Sequence, residues 1–228
     1  HRKKVKKTTL NPSDVPQTIK VQRRGEGQWN LSPLHLALLV LLQAEVLDSG
    51  FERPTPASPL STKSGYKQQP GVLSYDMEVM FGIDRADCKK LVKHFNESAQ
   101  MRYLSPLRDA VKYVRKLHEE HGYVFRCITS MSLDPAAARL REQNLSELFG
   151  PTIFEEIVCL DTGADKDDAL EQYRNSDCYW IEDKPENADL GLRIGLNSLL
   201  IAHGFNTDYK GLCPRVQNWK EIYNIITG

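Results

Sequence analysis

Three places in the chain gather side chains able to bind an anion and a metal ion. Thr129 and Ser130 close the apolar run VFRCITS, Lys166 stands in TGADKDDALEQY, and Glu182 and Asp183 close CYWIED. Hydroxyls followed by a turn into a helix either cap that helix or, with the exposed backbone N–H groups, hold an anion such as phosphate. A lysine at a helix start opposes the macrodipole, so its charge needs another partner. That partner is a phosphate, or else Asp165, Asp167 and Asp168 neutralise a solvated side chain. Adjacent carboxylates repel, and burial raises the pKa of at least one unless a cation is present. Hard oxygen ligands of this kind suit Mg²⁺, which takes one or two protein carboxylates and completes its shell with water and substrate phosphate. The bland alternative for the acid pair is the first turn of the next helix, where acids are also favourable. Asn187 lies one helical turn on, within reach of either acid or the lysine.

These groups can meet only if the elements between them converge. From Leu104 onward the pattern is regular. SPLRDAVKYVRKLHEEHG predicts a helix with Ser105 at the N-cap and Pro106 at its first position, ended by Gly122. YVFRCITS reads as a strand, DPAAARLREQNLSELFG as a helix, IFEEIVCL as a strand, KDDALEQYRNS as a helix and CYWIED as a strand. ENADLGLRIGL is a helix or helical turn, and SLLIAHG a last strand. This alternation predicts an α/β fold, a doubly wound, Rossmann-like parallel sheet with helices on both faces. Ligands of such sheets sit beyond the carboxyl ends of the strands, where all three polar clusters fall.

The front is less regular. Residues 1–30 read as a basic, disordered tail, carrying Arg2, Lys3, Lys4, Lys6, Lys7, Lys20, Arg23 and Arg24 against Asp14. Residues 51–71 form an irregular loop with Pro54, Pro56, Pro59 and Pro70. Residues 75–101 carry one convincing helix, Arg85 to Asn96, with Cys88, Leu91, Val92 and Phe95 at helical spacing.

Composition bounds the partners. Thirty basic residues balance thirty acidic ones, so no net field favours nucleic acid or an anionic membrane; contact through the basic stretch 1–24 is the exception. The apolar core Leu36 to Leu42 is far shorter than the roughly 20 residues of a bilayer span, which favours a buried strand or helix over an anchor or signal sequence. Cys88, Cys127, Cys159, Cys178 and Cys213 lack C-x-x-C spacing, which argues against zinc and disulfides and for the cytoplasm. Nothing in the sequence specifies an oligomeric state.

Hydroxyl, lysine and acid pair, each ending a successive strand, form an order that resembles the haloacid dehalogenase-like (HAD) superfamily of phosphohydrolases. The resemblance covers roughly residues 104–205, through ITS, ADKDDAL and WIEDKPENA. Within that superfamily it looks most like the 5′(3′)-deoxyribonucleotidase group and its bacterial and phage relatives. A receiver domain uses similar groups, but there the acids come first along the chain. The resemblance implies a Mg²⁺-dependent phosphatase acting on a small phosphorylated metabolite or nucleotide through an aspartyl-phosphate. It implies that Thr129 and Ser130 hold phosphate oxygens, Lys166 stabilises the transferring phosphoryl, and Glu182 and Asp183 hold or orient Mg²⁺, with Asn187 in support. Residues 31–74 and 102–228 would be the core and 75–101 a small helical cap.

The family's first motif, D-x-D-G-[TV] after an apolar strand, is not intact here. Asp48 in LLQAEVLDSGFE is the candidate nucleophile, with Gly50 where the second acid belongs. The sequence therefore carries a second expectation, a catalytically inactive HAD-fold module that binds phosphate or a partner. Its front would be altered relative to an active ancestor, or redesigned for regulation.

Overall fold

The computed structural model describes residues 18–22, 36–39, 69, 76–107 and 109–228, the first two segments as backbone only. They build one seven-stranded sheet. In chain order the strands are β1 (Thr18–Gln22), β2 (Leu36–Leu39), β3 (Val124–Ser130), β4 (Phe154–Leu160), β5 (Tyr179–Glu182), β6 (Asn197–Ile201) and β7 (Arg215–Val216). Their order across the sheet is β1-β4-β3-β2-β5-β6-β7, parallel at every pairing except β1 with β4. The helices are α1 (Met77–Phe81), α2 (Arg85–Asn96), α3 (Ala110–His121), α4 (Pro135–Phe149), α5 (Asp167–Glu171), α6 (Pro185–Arg193) and α7 (Trp219–Thr227).

Strand alternation sorts the core onto two faces. Phe125 and Cys127 of β3, Ile157 and Cys159 of β4 and Ile181 of β5 share one cluster with Val114 and Leu117 of α3, Ala138 and Leu145 of α4 and Ile222 of α7. Their neighbours Ile128, Val158, Leu160 and Trp180 join a second cluster with Leu170 of α5 and Leu190 of α6. Helices thus cover both faces of the sheet, and each large apolar side chain buried between the layers contributes roughly 1.5–3 kcal/mol. No helix among the described residues is long and apolar enough to cross a membrane.

Several expectations need correction. The stretch 1–30 is not wholly a tail, because Thr18–Gln22 pairs antiparallel with β4, Thr18 opposite Leu160 and Gln22 opposite Glu156. The charge count hid the period-two pattern of Ile19 and Val21 between polar neighbours. Helix α3 begins at Ala110 rather than beside Ser105. Asp109 precedes it without capping it; its carboxylate accepts instead from the backbone N–H groups of Trp219 and Lys220, and so starts α7. Helix α5 ends at Glu171, short of the expected Ser176, and Asn175 and Asp177 beyond it have positive φ. The leucine run contributes Leu36–Leu39 as a central strand.

The helix expected over Arg85–Asn96 is present with those bounds, its N-cap Asp84 accepting from the Asp87 N–H. Phe95 and Met101, with Met80 and Phe81 of α1, pack into the first cluster. Asn144 of α4 donates to the carbonyls of Arg102 and Leu104, which ties the segment after α2 to the main body.

Candidate functional site

The carboxyl ends of β3, β4 and β5 bring the three predicted groups to one edge of the sheet. Register places Thr129 beside Cys159 and Ser130 beside Leu160, and Glu182 beside Leu200. The loops beyond β3 and β4 are laced together. Ser130 Oγ donates to the Ala164 carbonyl at 2.7 Å, and Thr162 Oγ1 donates to the Met131 carbonyl at 2.5 Å. Ser130 therefore spends its hydroxyl proton on the loop that leads to Lys166. Thr129 is buried beside it.

Lys166 stands at the N-cap of α5 with its ammonium turned into the protein, 5% exposed. Its partner within the chain is Glu182 rather than Asp165, Asp167 or Asp168, with Oε1 2.5 Å from Nζ. The ammonium also lies 5.7 Å from the centre of the Trp180 ring. One of its three N–H donors is used, which leaves two for a ligand.

Glu182 has no acceptor position to spare. Oε1 accepts from Lys166 and from Asn187 Nδ2 at 2.7 Å, while Oε2 accepts from the backbone N–H groups of Asp183 and Lys184 at 2.9 and 3.0 Å. Burial alone would raise its pKa, but the Lys166 charge and these hydrogen bonds hold it below the ordinary carboxylate range. Glu182 thus holds Lys166, and Asn187 completes that arrangement.

Asp183 is the opposite case. It is 1% exposed, and neither carboxylate oxygen has a hydrogen-bond partner among the described residues. Burial first, and then the neighbouring Glu182 charge, push its pKa well above the usual value. An unpaired buried carboxylate is costly unless a cation joins it. Its oxygens suit a hard ion such as Mg²⁺, which one protein carboxylate and a substrate phosphate can hold. Asp183 thus fits the expected metal, although no cluster of three or more ligand side chains is present among the described residues.

Helix α6 is pinned where the acids need it. Trp180 Nε1 donates to the Asn187 carbonyl and Ser198 Oγ to the Ala188 carbonyl. Gly191 lets the helix approach the sheet closely, since a Cβ there would come within 2.4 Å of Trp180. From the other side, α2 reaches the loop after β3. Asn96 Nδ2 donates to the Met131 carbonyl at 2.7 Å, and Glu97 accepts from Ser132 Oγ at 2.8 Å.

One residue beside the acid pair escaped the sequence reading. Asn206, buried in the short 3₁₀ turn Gly204–Asn206, donates to the Asp183 carbonyl. It follows the strand ending at Ile201, so the rule that polar residues matter at strand ends could have found it. The leucine run, expected as a buried strand or helix, supplies the central strand. Leu39 lies level with Cys127 and with Ile181, one residue short of Glu182. The next residues in the sequence are Val40, Leu41 and Leu42, none of them an acid. The nucleophile candidate Asp48 lies outside the described residues.

No protein-family model matches the chain. A curated protein of Enterobacteria phage T4, described as an uncharacterized 32.4 kDa protein in the Gp30-rIII intergenic region, is 29% identical over 150 residues. The match takes in 64% of this chain and 52% of the phage protein, so the chain spans about half the length of that relative.

Proposed function

We propose that the chain is a Mg²⁺-dependent phosphohydrolase of the HAD type, acting on a small phosphorylated metabolite or nucleotide. The observation that carries this reading is the bare, buried Asp183 carboxylate beside the Lys166–Glu182 pair. A cation and a phosphate together would satisfy what the protein leaves unsatisfied. The parallel order β4-β3-β2-β5-β6, with helices on both faces, supports the doubly wound core that such a site requires. Asp183 would hold Mg²⁺, which supplies charge neutralisation at the phosphate. Lys166, held by Glu182, and the Thr129 hydroxyl would bind phosphate oxygens and orient the phosphoryl group. Residues 76–103, whose Asn96 and Glu97 grip the loop after β3, would act as the cap. Five free cysteines favour a reducing compartment such as the cytoplasm.

A second reading, a module that binds phosphate without turning it over, is favoured by the apolar residues Val40, Leu41 and Leu42 after the central strand. Mg²⁺-dependent hydrolysis of p-nitrophenyl phosphate and of deoxynucleoside monophosphates separates the two. Loss of turnover in both Asp48→Asn and Asp183→Asn supports the enzyme with Asp48 as nucleophile. Turnover that survives Asp48→Asn but not Asp183→Asn moves the nucleophile elsewhere. Wild-type turnover no higher than that of the double variant removes the enzyme reading, and phosphate binding by equilibrium dialysis then tests the module.

A further inference from the structure

The structure assigns Asn206 as a positioning residue for the cation held by Asp183, an inference that rests on the Mg²⁺ site proposed above. Asn206 is 2% exposed, and every hydrogen-bonding position of its amide is used. Nδ2 donates to the Asp183 carbonyl at 2.8 Å and to the Ile201 carbonyl at 2.9 Å. Oδ1 accepts from the His203 N–H at 2.9 Å and from Arg215 Nε at 3.0 Å. Arg215 Nη2 also donates to the His203 carbonyl at 3.3 Å. Two acceptors on one side and two donors on the other leave a single orientation for the amide.

The consequence falls on Asp183. Its carboxylate has no protein partner among the described residues. Its backbone is held on both sides of Cα by side chains, the N–H by Glu182 Oε2 and the C=O by Asn206 Nδ2. With no bond of its own, the carboxylate takes its position from these two anchors. Glu182 already serves Lys166, so Asn206 is the anchor that acts on Asp183 without touching the phosphate-binding lysine. Arg215, from β7 at the sheet edge, fixes Asn206 in turn, and a chain of contacts runs from that edge to the cation site.

Mn²⁺, a paramagnetic stand-in for Mg²⁺, reads this out without turnover, because free Mn²⁺ is counted directly by its electron paramagnetic resonance signal. Wild-type protein, Asp183→Asn, Asn206→Ala and Arg215→Met are titrated, and near-ultraviolet circular dichroism checks that each is folded. The expected result is Mn²⁺ binding by wild type, none by Asp183→Asn, and affinity roughly 10-fold or more weaker in Asn206→Ala, the usual loss when a group supporting a metal ligand is removed. Arg215→Met, which keeps the asparagine but removes one of the four bonds that orient its amide, should weaken binding several-fold and decides the matter if Asn206→Ala does not fold. Folded variants at Asn206 and Arg215 that bind Mn²⁺ within twofold of wild type, while Asp183→Asn abolishes it, overturn the role of Asn206 and leave the metal site standing. A wild-type chain that binds no Mn²⁺ overturns both.

Discussion

Lys166 and Glu182, 16 residues apart in the chain, meet as a buried ion pair with Nζ 2.5 Å from Oε1. The lysine side chain is 7% exposed and the glutamate 0%. Removing one partner from such a pair strands the other charge away from water, at a cost of about 3–5 kcal/mol. Lys166→Met should therefore lower the free energy of unfolding by about that amount, measured by urea denaturation. Lys166→Met/Glu182→Gln should recover part of the loss, because no ion is left unpaired. Neither variant should bind inorganic phosphate like the wild type.

Asp183 should behave as a residue kept at the expense of stability. Asp183→Asn removes a buried carboxyl group that has no partner when it ionises and should stabilise the metal-free protein near neutral pH. Because its pKa is raised in the folded state, the stability linked to Asp183 is complete below the ordinary carboxylate range and is lost as pH rises from that range through the raised folded value. Glu182, whose pKa is depressed, works in the opposite direction and loses its contribution only as pH falls. The gain from Asp183→Asn should thus be small near pH 4 and grow toward pH 7, in thermal melts run without divalent cations. Adding Mg²⁺ should raise the wild-type melting temperature and leave that of the variant unchanged.

Gly191 tests how closely α6 must approach the sheet. In an ordinary helix interior, glycine to alanine gains about 1 kcal/mol. Here the added methyl would stand 2.4 Å from Trp180 Cδ1 and 2.9 Å from Ser198 Oγ, so a ring or the helix must move. Overpacking of this kind costs typically 1–3 kcal/mol. Gly191→Ala should be net destabilising in urea and should shift tryptophan emission. A stabilised variant would mean that α6 can lift away without loss.

Asn96 should report on the cap. Asn96→Ala deletes the bond to the Met131 carbonyl, which Thr162 Oγ1 also serves, so the carbonyl is not orphaned. The expected loss of stability is about 1 kcal/mol. Phosphate affinity should fall by more than that loss explains, because the loop following Thr129 keeps only the Ser132–Glu97 bond to this segment. Isothermal titration with phosphate, compared with urea unfolding of the same variant, separates the two effects.

Much of this architecture was legible because its signals are local. Helix α2 carries its own cap and apolar stripe, so Arg85 and Asn96 could be named from spacing alone. Strand β3 was visible as a run of aromatic and β-branched residues ending in hydroxyls. Signals failed where a side chain serves a distant segment. Asp109 accepts from the first N–H groups of α7 and gives no side-chain cap to the helix that follows it, so no local rule places the start of α3. Strand β1 gains its place from β4, more than a hundred residues away, and a basic stretch gives little hint of that pairing.

The sequence by itself determined that Thr129, Lys166, Glu182 and Asp183 stand at the ends of successive strands, since apolar runs and turn residues set those positions along the chain. Only the tertiary structure decided how they divide the work. Two adjacent carboxylates are alike in a sequence, but one meets four donors and the other none. That difference arises because neighbouring side chains leave a strand end in opposite directions, and only one of them meets the donors Lys166 and Asn187. Asn206 belongs to the same lesson. Its role lies in bonds to Asp183, Ile201, His203 and Arg215, and folding alone brings that set together.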